Sequence, residues 1–117
     1  MSKYYDDLET RSAEVRERAL LRALQEQIDN AKKNAPYFAR LLQDVQPSDV
    51  KDRAALARLP VTRKSELIEL QERDRPFAGM TAVPLALLGR VFASPGPIYD
   101  PQADTRDYWG MARALYA

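Results

Sequence analysis

Between Ser12 and Pro36 the apolar residues Leu21, Leu24, Ile28, Ala31 and Ala35 recur at steps of three and four, the period of one buried helix face. That run commits the opening of the chain to a long amphipathic helix, which must lie against other elements. Ser12 followed by Glu14 supplies its start, with the acid near the positive end of the helix dipole. Lys32 and Lys33 suit the negative end, and Asn34 and Pro36 close it.

Beyond that helix, prolines cut the chain into short pieces. Pro36 fits the first turn of a second helix, where its missing amide would be unpaired anyway, and Tyr37, Phe38, Leu41, Leu42 and Val45 give that helix an apolar side. "QPSDVKD" reads as a loop with Ser48 and Asp52 as candidate caps, followed by a brief helix through Ala55, Leu56 and Leu59 that ends at Pro60. Thr62 then caps "RKSELIELQERD", with Leu67, Ile68 and Leu70 inward. Thr62, Arg63 and Lys64 also admit reading as an anion site, but a threonine cap beside two solvated cations is the simpler account.

After Asp74 glycine, proline and small residues become frequent, with room for one helical turn after Pro84. "RVFAS" has strand composition, Pro95-Gly96-Pro97 makes a turn, and "IYD" is a short returning strand, so a β element is expected at about 90–100. Asp104 is expected to cap a final helix with Tyr108, Met111, Ala112 and Leu115 on one face. Its pattern runs into Ala117 without a stop signal, which predicts that the sequence is a piece of something longer. The fold class expected is mainly α, an N-terminal helical region followed by a short β element and a helix.

Composition narrows the chemistry. The chain has no cysteine and no histidine, which removes disulfides, thiolate nucleophiles, Ser-His-Asp triads and nearly all zinc sites. Its 18 basic and 17 acidic residues nearly cancel, so nothing pulls it onto nucleic acid or an anionic membrane. No apolar run approaches the ~20 residues that span a bilayer, and "MSKYYDDLE" is too polar for a secretory signal. A cytoplasmic location is the expectation. Asp6, Asp7, Glu9 and Glu14 read as an exposed acidic N-terminus with no catalytic pair or metal site, and residues 14–27 as a solvated helix face. Tyr4 and Tyr5 read as an arm packing on the helices, and Trp109 as a core residue. No residue is singled out as catalytic or metal-ligating.

Three stretches, in series, resemble the start of a phenylacetate-CoA ligase of the adenylate-forming acyl-CoA synthetase superfamily. "QIDNAKKNAPYFARLL" resembles the family's opening helix with Asn-x-Pro-Tyr/Phe-Tyr, and "LARLPVTRKSELIEL" its Leu-Pro-x-Thr-x-Lys-x-x-Leu. "PFAGMTAVPLALLGRVFASPGPIYDP" resembles Pro-Phe-Gly, Ala-Val-Pro and the strand entering the phosphate loop. Such enzymes are several times longer. The resemblance implies a helical region over 1–80 and, over 81–117, the beginning of an α/β adenylate-forming core. It implies activation of an aryl or arylacetic acid with ATP, transfer to coenzyme A, and an inactive fragment. The implied partners are a small carboxylic acid and the remainder of the enzyme; magnesium is left open. Apolar helix faces exposed on an isolated piece predict self-association into a homo-oligomer. A non-catalytic assembly module descended from such an enzyme is the alternative.

The family's loop reads Ala-Ser-Ser-Gly-Thr-Thr-Gly-Lys-Pro, and Ala93, Ser94, Gly96 and Pro101 agree with it. Ser94 and Gly96 are therefore the implied cofactor-binding residues. A phosphate cradle needs inward amides, hydroxyls, glycines and a cation. Here Pro95 and Pro97 lack amide hydrogens, Ile98 replaces a threonine, and Asp100 stands for the lysine. Like charges ~4 Å apart repel by about 1 kcal/mol in water and by several in a protein cleft, so triphosphate should be held poorly unless other donors are supplied. On its own letters alone the segment reads rather as a Pro-Gly-Pro hairpin turn with no ligand; the flanking resemblance favours a loop homologous in place.

Overall fold

A computed structural model of the chain describes residues 3–116. It is mostly helical, with one short antiparallel sheet. The long helix α1 spans Ala13–Asn34, and the Ser12 hydroxyl accepts from the Val15 amide at its start. The Glu14 carboxyl is held below its usual pKa, first by its own backbone amide and then by the Ser12 hydroxyl. Of the predicted stripe, Ile28 and Ala35 are buried and Leu21, Leu24 and Ala31 half-buried. Pro36 opens α2 (Pro36–Leu41), as its missing amide allows. The α2 helix is shorter than its apolar run because a turn follows Leu41. Lys32 reaches back to that turn and donates to the carbonyls of Gln43 and Val45.

A 3-10 turn, Pro47–Asp49, and helix α3, Arg53–Leu56, complete the helical layer. Ser48 lies inside the turn and caps nothing there, whereas the Asp52 carboxylate accepts from the Ala55 amide at 2.7 Å. Ile28, Leu42, Val50 and Ala55 form the buried core, with Leu24, Phe38, Leu41, Val45 and Leu59 packed around them. Leu56 is exposed. The predicted solvated face of α1 is also interrupted: Arg53 donates twice to Glu17, at 2.7 and 2.8 Å, and Gln25 donates to the Val50 carbonyl. These contacts join α1 to α3 and to the loop before it.

Helix α4 spans Lys64–Arg73. Thr62 is not its cap: the N-cap position falls on Arg63, which makes no capping hydrogen bond, because the chain leaves Pro60 extended one residue further than the cap reading requires. Strand β1 (Leu88–Ser94) and strand β2 (Ile98–Ala103) form an antiparallel hairpin, with Phe92 opposite Asp100 and Ser94 opposite Ile98. The pairing bulges at Gly89, where a Cβ would stand 3.2 Å from the Asp104 Cα. The sheet has only two strands, so Pro101 sits on a strand with a free edge, where its missing donor is tolerated.

The final helix is not the one the pattern predicts. Only α5, Ala112–Leu115, is helical. Asp107 (φ +51°) and Gly110 (φ +64°) turn the chain through the left-handed region, closed by the Gly110 amide on the Asp107 carbonyl. The side chain that meets the start of α5 is Asp107, not Asp104; it accepts from the Ala112 amide. Tyr108, Met111 and Leu115 are exposed.

The molecule is open for its length. Its radius of gyration is 16.6 Å, against about 13 Å for a compact domain of this size. It exposes 8977 Å², about 2,500 Å² more than a self-contained globule of this mass.

Candidate functional site

Helix α4 carries the hairpin on one buried polar side chain. Gln71, 6% exposed, donates from Nε2 to the Tyr99 carbonyl and accepts at Oε1 from the Tyr99 amide, both at 2.9 Å. One side-chain amide thus stands in for a neighbouring strand. Unpaired, both partners would be desolvated at about 1–3 kcal/mol each, so the second bond matters as much as the first. The sequence reading missed Gln71 because it is polar. Its position was available, since it falls four residues after Leu67 and three after Ile68, on the inward stripe of α4.

The turn over Pro95, Gly96 and Pro97 packs on the same helix. Gly96 has φ +149°, and a Cβ there would lie 3.2 Å from Ile68 Cδ1 and 3.5 Å from Ile98 Cγ1. Ile98 is buried beneath it. Ser94 is half-buried, and its hydroxyl donates to the Ile98 carbonyl at 3.4 Å, the long end of hydrogen-bonding range. The structure therefore brings Ser94 and Gly96 to one hairpin end, with Pro95, Gly96 and Pro97 exposed. Asp100 is exposed on β2, opposite Phe92. Beside the turn, Ile68, Gln71, Glu72, Arg75, Pro97 and Tyr99 enclose about 40 Å³.

The quoted stretches also meet in space. The Tyr37 amide donates to the Gly79 carbonyl at 3.0 Å, and Phe77 and Ala78 are buried. A Cβ on Gly79 (φ +68°) would lie 3.4 Å from Pro36 Cβ and from the Tyr37 nitrogen, so the chain passes close there. A cleft of about 300 Å³ opens between α1, α2 and the hairpin, with Gln27, Asn30, Phe38, Thr81 and Tyr108 among its walls. Neither Ser94 nor Gly96 lines it.

Two readings of aromatic and acidic residues need correction. Trp109 is 54% exposed; it lies edge-on to Phe92 and Tyr108 and donates from Nε1 to Gln102. Asp6 and Glu9 are not simply solvated, because Arg113 stands opposite both. Arg63 and Lys64 are exposed, as expected. Among the described residues no three acidic side chains gather where a metal ion would be held, and no helix is long and apolar enough to cross a membrane.

Helices followed by this hairpin define a class: the architecture matches a fragment of an adenylate-forming enzyme fold. Among the proteins it matches is 2-hydroxyisobutyryl-CoA ligase. Its structure in the postadenylation state with R3-HIB-AMP superposes with a TM-score of 0.80 at 29% identity, over 88% of this chain and 23% of that one. The same ligase with 2-HIB-AMP and CoA, in the thioesterification state, gives a TM-score of 0.77 at 29% identity, over 88% and 23% of the two chains. The complex with 2-HIB-AMP in the postadenylation state gives 0.71 at 29% identity, over 79% and 20%. The chain thus spans only about a fifth to a quarter of the length of these enzymes. No protein-family model and no curated protein sequence matches it.

Proposed function

We propose that this chain is the N-terminal part of an acid-CoA ligase that activates a carboxylic acid with ATP as an acyl-adenylate and passes the acyl group to coenzyme A. In this reading residues 1–80 are the helical region ahead of the catalytic body and 81–117 open that body. The observation that carries the reading is the joint match of helices and hairpin, over 88% of the chain at a TM-score of 0.80, to one acyl-CoA ligase. The excess exposed surface supports it, because a piece shaped to lie against a larger body leaves such surface bare. The chain by itself is inactive in this reading, and a cytoplasmic location is part of the proposal.

Ser94 and Gly96 are the proposed nucleotide contacts. Gly96 contributes the only main-chain amide of the 95–97 turn, and Ser94 a hydroxyl held at long range. Two prolines and the exposed Asp100 add no donor. The residues fit one edge of a phosphate site, and the remaining donors, with any magnesium, belong to the rest of the enzyme. ATP, when bound, supplies the adenylyl group that makes the acid reactive.

The resemblance to phenylacetate-CoA ligases favours an aryl or arylacetic acid, and the neighbours make a small 2-hydroxy acid the necessary comparison. The poor donor content of the turn favours a second reading, a non-catalytic assembly module. Acid-dependent pyrophosphate release by the full-length gene product separates the two, with a panel of aryl, arylacetic and 2-hydroxy acids. Release with one class, followed by thioester formation on adding coenzyme A, is expected. No release with any acid would leave the assembly module.

A further inference from the structure

We propose that Gln71 is a positioning residue for the 95–99 loop, fixing its height over α4 by holding both main-chain polar groups of Tyr99. The proposal rests on the ligase reading, in which that loop borders the nucleotide. The two 2.9 Å bonds run in opposite senses, so they fix Tyr99 in direction as well as distance. Gln71 is the one buried polar or charged residue of the described chain, and both ends of its amide are used on this single backbone unit. Apart from Gln71, the support that α4 gives the turn is apolar, Ile68 beneath Gly96, while within the hairpin Ser94 donates to the carbonyl of the buried Ile98. The β1–β2 ladder sets the register within the hairpin; the Gln71 amide pair sets the register of the hairpin against α4, which apolar contacts alone do not.

The chemistry yields a discriminating variant. In Gln71→Glu the ionised carboxylate still accepts from the Tyr99 amide but sets an anionic oxygen against the Tyr99 carbonyl. Once protonated, the acid donates to that carbonyl and accepts from the amide, restoring both bonds. The charged or titratable groups around this position are Glu72 and Arg75 on and after α4 and Tyr99 on β2. Burial and the facing carbonyl raise the new carboxyl's pKa, and the Arg75 guanidinium opposes that shift.

The test uses the full-length protein as wild type, Gln71→Met and Gln71→Glu. Amide hydrogen exchange at Tyr99 should speed by about tenfold or more in Gln71→Met, the loss of protection expected from removing its acceptor. In Gln71→Glu, protection relative to wild type should recover as pH falls from 8 to 5. In the pyrophosphate-release assay Gln71→Met should raise KM for ATP by about tenfold while KM for the acid moves less than about twofold, the split expected of a misplaced nucleotide loop. Uniform loss of both, or no pH-dependent recovery in Gln71→Glu, overturns the proposal in favour of plain structural support. A wild type that releases no pyrophosphate defeats the ligase reading instead, and exchange at Tyr99 still decides whether the clamp exists.

Discussion

Arg113 and Asp6 lie 107 residues apart in sequence and form a charge-assisted pair that fastens the N-terminal arm to the last helical turn. The same guanidinium is 3.8 Å from Glu9 and sits over the Tyr5 ring, and Tyr5 meets Tyr116 edge-on. The Arg113 hydrogen bond is the main influence holding the Asp6 carboxyl below its ordinary pKa.

A carboxyl whose pKa is depressed in the folded state contributes stability above its unfolded pKa, about pH 4 for aspartate, and loses it as pH falls through the lower folded value. Docking of the arm should therefore be intact at neutral pH and fail in acid. The chain has one tryptophan, Trp109, on the same C-terminal segment as Arg113. Its emission should shift below about pH 4, and Arg113→Met should produce that shift at pH 7. Because the pair is partly exposed, salt should weaken it.

The core around Ile28 should respond as a packed interior. Ile28→Ala removes a side chain that is 4% exposed and should cost about 2–5 kcal/mol. Val61→Ala, at a residue 76% exposed, should stay within about 0.5 kcal/mol. Urea denaturation of the two variants checks the contrast.

Asp52 makes a local contribution that can be isolated. Asp52→Ala removes the acceptor for the Ala55 amide and should destabilise by about 1 kcal/mol. Asp52→Asn should recover most of that, and Ser48→Ala, which removes no cap, should be silent in the same denaturation series.

Gly96→Ala combines a rare backbone angle with a close contact to Ile68. The backbone part should cost about 1–3 kcal/mol. Shortening the neighbour in Gly96→Ala/Ile68→Val relieves the contact but leaves φ unfavourable, so a double-mutant cycle should show partial recovery. Full recovery would assign the whole effect to sterics.

Phe92, Trp109 and Met111 form an exposed apolar patch at the hairpin's free side. Prepared as an isolated chain, the protein should self-associate in the micromolar range, and Trp109→Ser with Met111→Ser should weaken association by about tenfold or more. Sedimentation velocity of the two preparations measures this.

What could be read from the letters was whatever depends on neighbours along the chain. The stripe from Leu21 to Ala35, proline at the first turn of α2, the Asp52 cap and the Pro-Gly-Pro hairpin all follow from local geometry and short-range periodicity. The tertiary structure decided the rest. It held the Tyr99 backbone on Gln71, brought Arg113 to Asp6, set Gly79 against Tyr37, and left the predicted last helix short, with Tyr108, Met111 and Leu115 exposed. A distant ion pair has no period in sequence, and the stripe that turns Gln71 inward does not name its partner. Such a partner is fixed only when the whole chain has packed, and an amphipathic pattern becomes a helix only where another surface covers it.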